Sequence, residues 1–385
     1  MQKKLLVLAI AALASTSAFA DSTTTFYGLV DAGIVNVQAT GLQGGTTAVS
    51  GGLASSRFGV KNVEDLDGGL KAVVVLEYYL DTQTNNTIGT SGVSGTTTNS
   101  TAAGSGSIAA RQQMLALAGE FGTVATGYLQ TTAWDFGSKY NVVAGSDVSP
   151  LGNLTKGQGF LIGDQGAAKR ADRAIAYISP SLSGLTVAVN YTAALGNAQA
   201  YGDITTANGA ADSNITASLV SANYDAGPLS LGLVYAGTNS AAAGGAADTT
   251  EYALGVAYSA DVAKITATYQ TSKHPNAVAT VNTNATSANT VYSVGVAVPV
   301  VVGTVVASYA GSTINNLASG AAGANATSYA VGFLKPLSKT TTAYLAYSAT
   351  TQGNGTSAVS VANDLVAPTA GGNSSIVALG LSKKF

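Results

Sequence analysis

The chain has 385 residues, of which 46% are hydrophobic and only 9% are charged, with a formal net charge of −2. Charged residues make up about a quarter of an ordinary globular domain, so this composition argues against a typical soluble protein. The mild charge, without a basic block among aromatic residues, excludes a nucleic-acid-binding surface. The absence of cysteine excludes disulfides and thiolate metal sites.

Residues 1–20 have the parts of a secretory signal peptide. Lys3 and Lys4 form a basic start, an apolar stretch follows them, and Ala18-Phe19-Ala20 is a small-residue cleavage site. The apolar stretch is far shorter than the ~20 residues that a membrane-spanning helix needs. We therefore predict cleavage after this segment, which leaves residues 21–385 as a single exported domain.

Runs of about ten residues, in which large apolar side chains alternate with small or hydroxylated ones, recur along the mature chain. Clear examples are 185–192, 252–258, 265–270 and 292–298, and tyrosine recurs near the ends of such runs. No mature segment is long and apolar enough for a spanning helix. Because backbone polar groups in lipid must pair within the chain, only helices or closed β-barrels can span a membrane. The pattern predicts an all-β, transmembrane, antiparallel β-barrel.

Tight turns and long segments connect these runs alternately. The tight turns are 66–69, 120–122, 180–184, 225–228, 260–262, 299–303 and 336–339. The long segments are 38–52, 83–107, 133–171, 195–211, 239–248, 274–287, 312–323 and 351–372. Short periplasmic turns and long external loops are typical of outer-membrane barrels. The count predicts about sixteen strands, enough to enclose an aqueous lumen.

Several motifs resemble the general porins of β-proteobacteria, a family of Gram-negative trimeric porins. They are TFYGLVDAG (25–33), SSRFGVK (55–61), EDL (64–66), GGLKA (68–72), RQ (111–112), LAL (115–117), FGTV (121–124), AWD (133–135), RAIAYISP (173–180) and LGLSKKF (379–385). The resemblance covers the mature chain, and between Pro180 and the tail it depends on the strand rhythm. It implies sixteen strands and a third long loop that folds inward to form a constriction.

The same resemblance implies an outer-membrane channel for passive diffusion of small hydrophilic solutes and ions, with weak anion preference. It implies a homotrimer, contact with outer-membrane lipid and lipopolysaccharide, and a terminal Phe385 that the barrel-assembly machinery reads. No enzymatic activity, cofactor or metal is expected.

Basic residues carried over from the family would line the wall that faces the third loop. They are Arg57, Lys61, Lys71, Arg111 and Arg173, and the opposing carboxylates would be Glu77, Asp135, Asp147 and Asp164. A charged side chain that faces lipid at the midplane costs ~2–4 kcal/mol, so basic residues within strands are expected to face water. They could select ions, or pair with carboxylates to hold the third loop; the two roles are compatible.

Other features leave alternatives open. Tyr128 stands where the family usually has a basic residue, which weakens the expectation of strong anion selectivity. The carboxylates Glu64, Asp65 and Asp67 indicate a solvated turn or, alternatively, a divalent-metal site. The single histidine, His274, lies in a predicted loop without a catalytic neighbourhood. A structural or adhesive surface protein, of the surface-layer or autotransporter type, is the alternative function, because it would also be poor in charge and cysteine.

Overall fold

The computed structural model of the chain describes residues 22–83, 110–193, 195, 215–240, 249–273, 288–314, 324–353 and 371–385. The predicted signal peptide (1–20), His274 and most residues of the predicted long loops lie outside this part.

The described part consists mainly of β-strands. The first are β1 (Ser22–Ala39), β2 (Gly45–Ser50), β3 (Arg57–Asp65), β4 (Lys71–Tyr79), β5 (Ala110–Gly119) and β6 (Gly122–Gln130). After helices α1 (Thr132–Lys139) and α2 (Pro150–Gly157) follow β7 (Arg170–Ile178), β8 (Leu185–Thr192), β9 (Ile215–Ala226), β10 (Leu229–Ser240) and β11 (Thr249–Ala260). The last are β12 (Ala263–Lys273), β13 (Asn289–Val300), β14 (Gly303–Ile314), β15 (Ala324–Pro336), β16 (Thr341–Gln352) and β17 (Ser374–Lys384).

These strands form one closed antiparallel sheet. Each strand pairs with its neighbours, and β1 closes the ring by pairing with β17 from Leu29↔Lys384 to Ala39↔Ser374. The seventeen segments make sixteen barrel strands, because β2 and β3 follow each other along the same edge of β1. The prediction of an antiparallel barrel of about sixteen strands is confirmed.

The predicted first long loop, 38–52, is wrong over most of its length. Strand β1 continues to Ala39, and Gly45–Ser50 forms β2. Three β-branched residues in β2 favour the extended backbone and outweigh its polar composition. The strand ends at Gly51 and Gly52, whose φ angles of 112° and 116° suit glycine.

The interruption between β2 and β3 is organised around the buried residue Asp31. The Asp31 N–H donates to Ser56 Oγ at 2.9 Å, and the Gly51 N–H donates to the Asp31 carbonyl oxygen at 2.8 Å. The Tyr344 hydroxyl, from the opposite side of β1, donates to Asp31 Oδ1 at 2.7 Å. A buried carboxylate therefore has hydrogen-bond partners that hold the break in the strand.

The two faces of the sheet differ in character, as period-two alternation requires. Leu254, Ile265 and Leu345 exemplify the large apolar side chains that are exposed on one face. The other face, the inner face hereafter, carries small or hydroxylated residues such as Thr266 and Ser328, which are buried. An apolar outer band is what a barrel presents to hydrocarbon. Within the described residues, neither helix is long or apolar enough to cross a membrane.

Tight turns connect neighbouring strands at all seven predicted positions. In the β3–β4 turn the Lys71 ammonium pairs with Asp65 Oδ1 at 2.6 Å. The described residues include no group of three or more acidic or histidine side chains that could hold a metal ion. Asp65 and Asp67 are exposed, as a solvated turn requires.

Candidate functional site

A glutamate between two arginines lies on the inner face of β3–β5. Glu77 Oε1 accepts from Arg111 Nε at 2.7 Å, and Glu77 Oε2 lies 3.6 Å from Arg57 Nε. Arg57 also donates to the Ser55 carbonyl oxygen at 2.9 Å. One carboxylate therefore positions two guanidinium groups and offsets only one of their charges.

Aromatic rings complete this cluster. The Arg111 guanidinium lies 4.6 Å from the centre of the Tyr79 ring, and that of Arg170 lies 4.7 Å from the Trp134 ring. Arg170 also donates to the Tyr79 hydroxyl at 3.3 Å. Stacking on aromatic faces stabilises a guanidinium without neutralising it. Among the described residues, Arg170 Nε and Nη2 have no hydrogen-bond partner although the side chain is only 7% exposed.

Lys169 adds a further cation beside Arg170. Its ammonium donates to Gln165 Oε1 at 2.9 Å. Burial and the nearby Lys156, Arg170 and Arg111 lower the pKa of Lys169 to about 8. Burial and a like charge both disfavour the protonated ammonium, so Lys169 loses its positive charge at mildly alkaline pH.

The segment 131–169 packs against the inner face over a large part of the ring. Helix α1 contacts β8–β10, and helix α2 contacts β13–β16. Ser149 caps α2 by accepting from the Gly152 N–H at 3.0 Å, and Pro150 occupies its first turn. The ends of the segment meet, because the Thr131 N–H donates to the Lys169 carbonyl oxygen at 3.1 Å.

A buried glutamate on β11 holds the second half of this segment. Glu251 accepts from the backbone N–H groups of Leu161 at 2.7 Å and Ile162 at 3.1 Å. Gln270 on β12 donates to Glu251 Oε1 at 3.1 Å and to the Ile162 carbonyl oxygen at 3.0 Å. Two wall side chains thus take the place of a β-partner for the segment backbone.

A pair of glycines forms the seat of the first half. Gly232 on β10 and Gly255 on β11 are register partners, and the ring of Tyr140 lies on both. A Cβ atom at Gly255 would lie 2.5 Å from Tyr140 Cγ, so no larger residue fits without moving the ring. Tyr140 is fully buried, and its hydroxyl donates to Asn223 Oδ1 at 3.1 Å.

On the opposite side of the ring the segment reaches the break between β2 and β3. The Asp147 N–H donates to the Gly52 carbonyl oxygen at 2.9 Å. Burial and the nearby carboxylate of Asp31 raise the pKa of Asp147 to about 7, and Lys156 opposes this shift. Contacts of the segment therefore extend from β8 to β2.

Three of the predicted basic residues lie outside the Glu77 cluster. Lys71 pairs with Asp65 at the turn, six residues or about 20 Å along β4 from Glu77. Lys61 is exposed on β3, on the side of Arg57 and nearer the turn end. Arg173 is exposed, has a φ of 48°, and makes none of the cluster contacts. An irregular register between β6 and β7 displaces it, so carrying it over from the family motif was misleading.

The predicted acidic residues also separate into different positions. Asp135, in the first turn of α1, is exposed and accepts from Gln130 Nε2 at 2.9 Å. Asp164 is fully buried, and its Oδ2 accepts from the Gly145 N–H at 2.6 Å. Burial raises the pKa of Asp164. Asp164 therefore stabilises the segment from within and does not face open space, contrary to the expectation from sequence.

Tyr128, the departure from the family pattern, interacts electrostatically with Arg170 and Arg111.

Sequence reasoning missed Arg170, Lys169 and Glu251. The adjacent Lys169-Arg170 pair at the start of β7 was a usable signal, because both residues precede the motif at 173–180. Glu251 could have been recognised as a carboxylate within an alternating run, where an ion facing lipid would be costly.

Phe385 is fixed to the start of the barrel. Its N–H donates to the Gly28 carbonyl oxygen at 3.1 Å, and the Gly28 N–H donates to the Phe385 carbonyl oxygen at 3.0 Å. The Phe385 ring is exposed and lies directly over Gly28, where a side chain would collide with it.

Comparison with known proteins agrees with this architecture. The family model of the Gram-negative porins matches residues 7–355. The chain belongs to the Gram-negative porin family. This porin is 30% identical over 278 residues to outer membrane porin protein 32 of Delftia acidovorans, which covers 71% of this chain and 70% of that protein.

Solved structures share the fold. The anion-selective porin from Comamonas acidovorans superposes with a TM-score of 0.71 at 24% identity, covering 95% of this chain and all of that one. A trimer form of OmpT, an outer membrane protein of Vibrio cholerae, gives a TM-score of 0.61 at 16% identity, covering 94% and 99%. The resemblance to β-proteobacterial porins is confirmed, and the adhesive alternative is set aside. This porin is an outer-membrane channel.

The glycine seat gives a test of how the segment is held. Gly255→Val should displace the Tyr140 ring, since overpacking costs about 1–3 kcal/mol. We expect native Gly255→Val porin to be cut by trypsin at Lys139 or Lys156 much faster than the parent. The control is Gly45→Val, because no atom lies within 4 Å of a Cβ there. Equal cleavage of the two variants would contradict the proposed seat.

Proposed function

We propose that this porin is an anion-preferring diffusion channel whose constriction lies between the 131–169 segment and the Glu77 cluster. The observation that carries the proposal is the excess of buried and half-buried cations on the inner face of β3–β7. Arg57, Arg111 and Arg170 lie around the single carboxylate of Glu77, and Lys169 adjoins them. A narrow path lined by one sign of charge concentrates ions of the opposite sign.

The contacts of the segment support its place inside the barrel. They reach the inner face on β8–β16 and the break beside β2, which together span more than half of a closed ring. A segment outside the ring could not contact the inner face on both sides. This arrangement leaves the inner face of β3–β6 as the uncovered wall. Asp135 on α1 is the acidic loop residue that we propose faces this opening.

The roles of the remaining predicted residues follow from their positions. Lys61 would extend the cationic wall towards the turn end, and Lys71 would act at the mouth. Asp147 would tether the segment. Tyr128 would narrow the opening beside Arg170 without adding charge. We expect the channel to have no enzymatic activity, as is usual for proteins that act as passive pores.

The distribution of tyrosine supports assembly as a homotrimer. Strands β7–β16 each carry a tyrosine on the outer face, as an interfacial girdle requires: Tyr177, Tyr191, Tyr224, Tyr235, Tyr252, Tyr258, Tyr269, Tyr292, Tyr309, Tyr329 and Tyr347. On β1–β5 the outer face offers Phe26, Ile34 and Leu115, and its one tyrosine, Tyr78, packs on Phe58. We propose that β1–β5 contact neighbouring subunits and need no girdle.

Export and assembly complete the proposal. Residues 1–20 would direct export and be removed. Phe385, on the outer face over Gly28, would present its phenyl group to the barrel-assembly machinery before the barrel closes. Lipopolysaccharide would contact the loop end of the girdle.

Charge removal tests the selectivity. In planar bilayers across a salt gradient, Arg111→Gln/Arg170→Gln should lower the anion-to-cation permeability ratio by about fivefold, equivalent to about 1 kcal/mol. The matched control is Lys71→Gln/Lys384→Gln, which removes the same charge at the turn end. An equal shift of the reversal potential in the control would reject the cluster as the selective element.

Alkali tests the contribution of Lys169. Lysine is cationic below its pKa, so anion preference should fall as the pH rises through about 8. Lys169→Gln should have the lower preference already at pH 7 and lack this step, and Lys169→Arg should keep the preference up to pH 9. Persistence of the step in Lys169→Gln would assign it to another group.

Polar substitutions on the outer face test the subunit contact. Ile34→Gln/Leu115→Gln should yield monomers in native mass spectrometry, because these side chains, 56% and 55% exposed, would be covered only by another subunit. Leu254→Gln/Val294→Gln, at 56% and 52% exposure on β11 and β13, should remain trimeric. Trimers of the first variant would refute β1–β5 as the contact.

A further inference from the structure

A group of lysines lies at the turn end of β15–β17. Lys335 is the last residue but one of β15, Lys339 lies in the β15–β16 turn, and Lys383 and Lys384 end β17; all four are exposed. None of them forms an ion pair with a described carboxylate. After Asp261 the sequence contains six lysines and only one acidic residue, Asp364. The charge of this sector is therefore strongly positive.

Register places two of these lysines on the outer face. Lys335 continues the exposed row of Tyr329 and Val331, and Lys383 continues the row of Leu379 and Leu381. Lys384 alternates with Lys383 and therefore points to the other side of the strand.

The two outer lysines are close enough to act together. Lys335 pairs with Ala343, Ala343 pairs with Leu381, and Lys383 lies two residues beyond Leu381 on the same strand. Strand spacing and rise put the Lys335 and Lys383 Cα atoms roughly 12 Å apart. Lys339, in the turn between β15 and β16, extends the group towards water.

The surroundings combine this charge with apolar surface. Above the lysines the outer face carries Val331, Leu345 and Leu379, all exposed. The Lys383 ammonium donates to Thr340 Oγ1 at 2.6 Å, which uses one of its three hydrogens and positions it at the membrane boundary. Long lysine stems can lie along apolar surface while the ammonium groups stay at the headgroup level.

We propose that Lys335, Lys339 and Lys383 bind the headgroup phosphate of an anionic phospholipid in the periplasmic leaflet. The short-turn end of such a barrel faces the periplasm, so this is the leaflet that the lysines meet. Acyl chains of the same lipid would lie on the apolar row above. The site is independent of the channel and borders the face assigned to subunit contact.

Charge segregation favours a lipid over a general solubilising role. Four of the other six turns carry or border carboxylates, namely Asp65 and Asp67, Glu120, Asp225 and Asp261, and the remaining two carry no charge, whereas Lys335, Lys339 and Lys383 lie together on adjacent strands. Basic side chains at a membrane surface contribute about 1 kcal/mol each towards anionic lipid, equivalent to about fivefold per lysine. Three of them give a preference that is large enough to measure directly.

Native mass spectrometry of the full-length porin, from micelles with equal phosphatidylglycerol and phosphatidylcholine, tests the proposal. The parent should retain phosphatidylglycerol preferentially. Each of Lys335→Gln, Lys339→Gln and Lys383→Gln should lower the retained ratio by about fivefold. The matched control, Lys384→Gln, makes the same change on the neighbouring residue of the other face and should leave the ratio unchanged.

Two further arms make the result decisive. The triple Lys→Arg variant should keep the preference, which separates loss of charge from loss of folding. Inorganic phosphate, added in excess, should not displace the lipid. Equal retention of both lipids, an equal effect of Lys384→Gln, or displacement by phosphate would overturn the lipid site.

Discussion

Every other feature of this porin depends on the pairing of its backbone N–H and C=O groups. Hydrocarbon contains no water that could hydrogen-bond to an unpaired N–H or C=O group, so the sheet must close into a barrel. Closure is achieved where β1 meets β17 and Phe385 is hydrogen-bonded to Gly28. Among the described strands, the large interruption between β2 and β3 occurs where Asp31, Ser56 and Tyr344 supply the missing partners.

The inner face of the ring divides into two parts with different contacts. Against β8–β16 the inner face is covered by the 131–169 segment, held by Glu251, by the seat at Gly232 and Gly255, and by the contact at Gly52. On β3–β7 the inner face carries arginines that are oriented by Glu77 and by aromatic rings. One half supports the segment, and the other supplies the charge.

The sequence predicted the barrel, its strand count and its turns because period-two alternation and turn residues are local signals. Arg57, Glu77 and Arg111, all named from the sequence, lie together in the structure, and their role in the pore stays a prediction. The sequence prediction misplaced Arg173, because an irregular register between β6 and β7 is not visible in a residue pattern. It misjudged Asp164, because burial depends on packing between distant parts of the chain. The polar composition of β2 likewise led to the prediction of a loop where the structure has a strand.

The covered inner wall has a consequence for how the pore could be altered. There, the Tyr140 ring lies directly on Gly232 and Gly255, so even one added methyl group at Gly255 would displace the ring. On β3–β7, by contrast, Arg111 and Arg170 are oriented by Glu77 and by aromatic rings. On the proposed assignment, substitutions on β8–β16 would alter conductance by shifting the segment, and substitutions of the arginines on β3–β7 would alter ion preference.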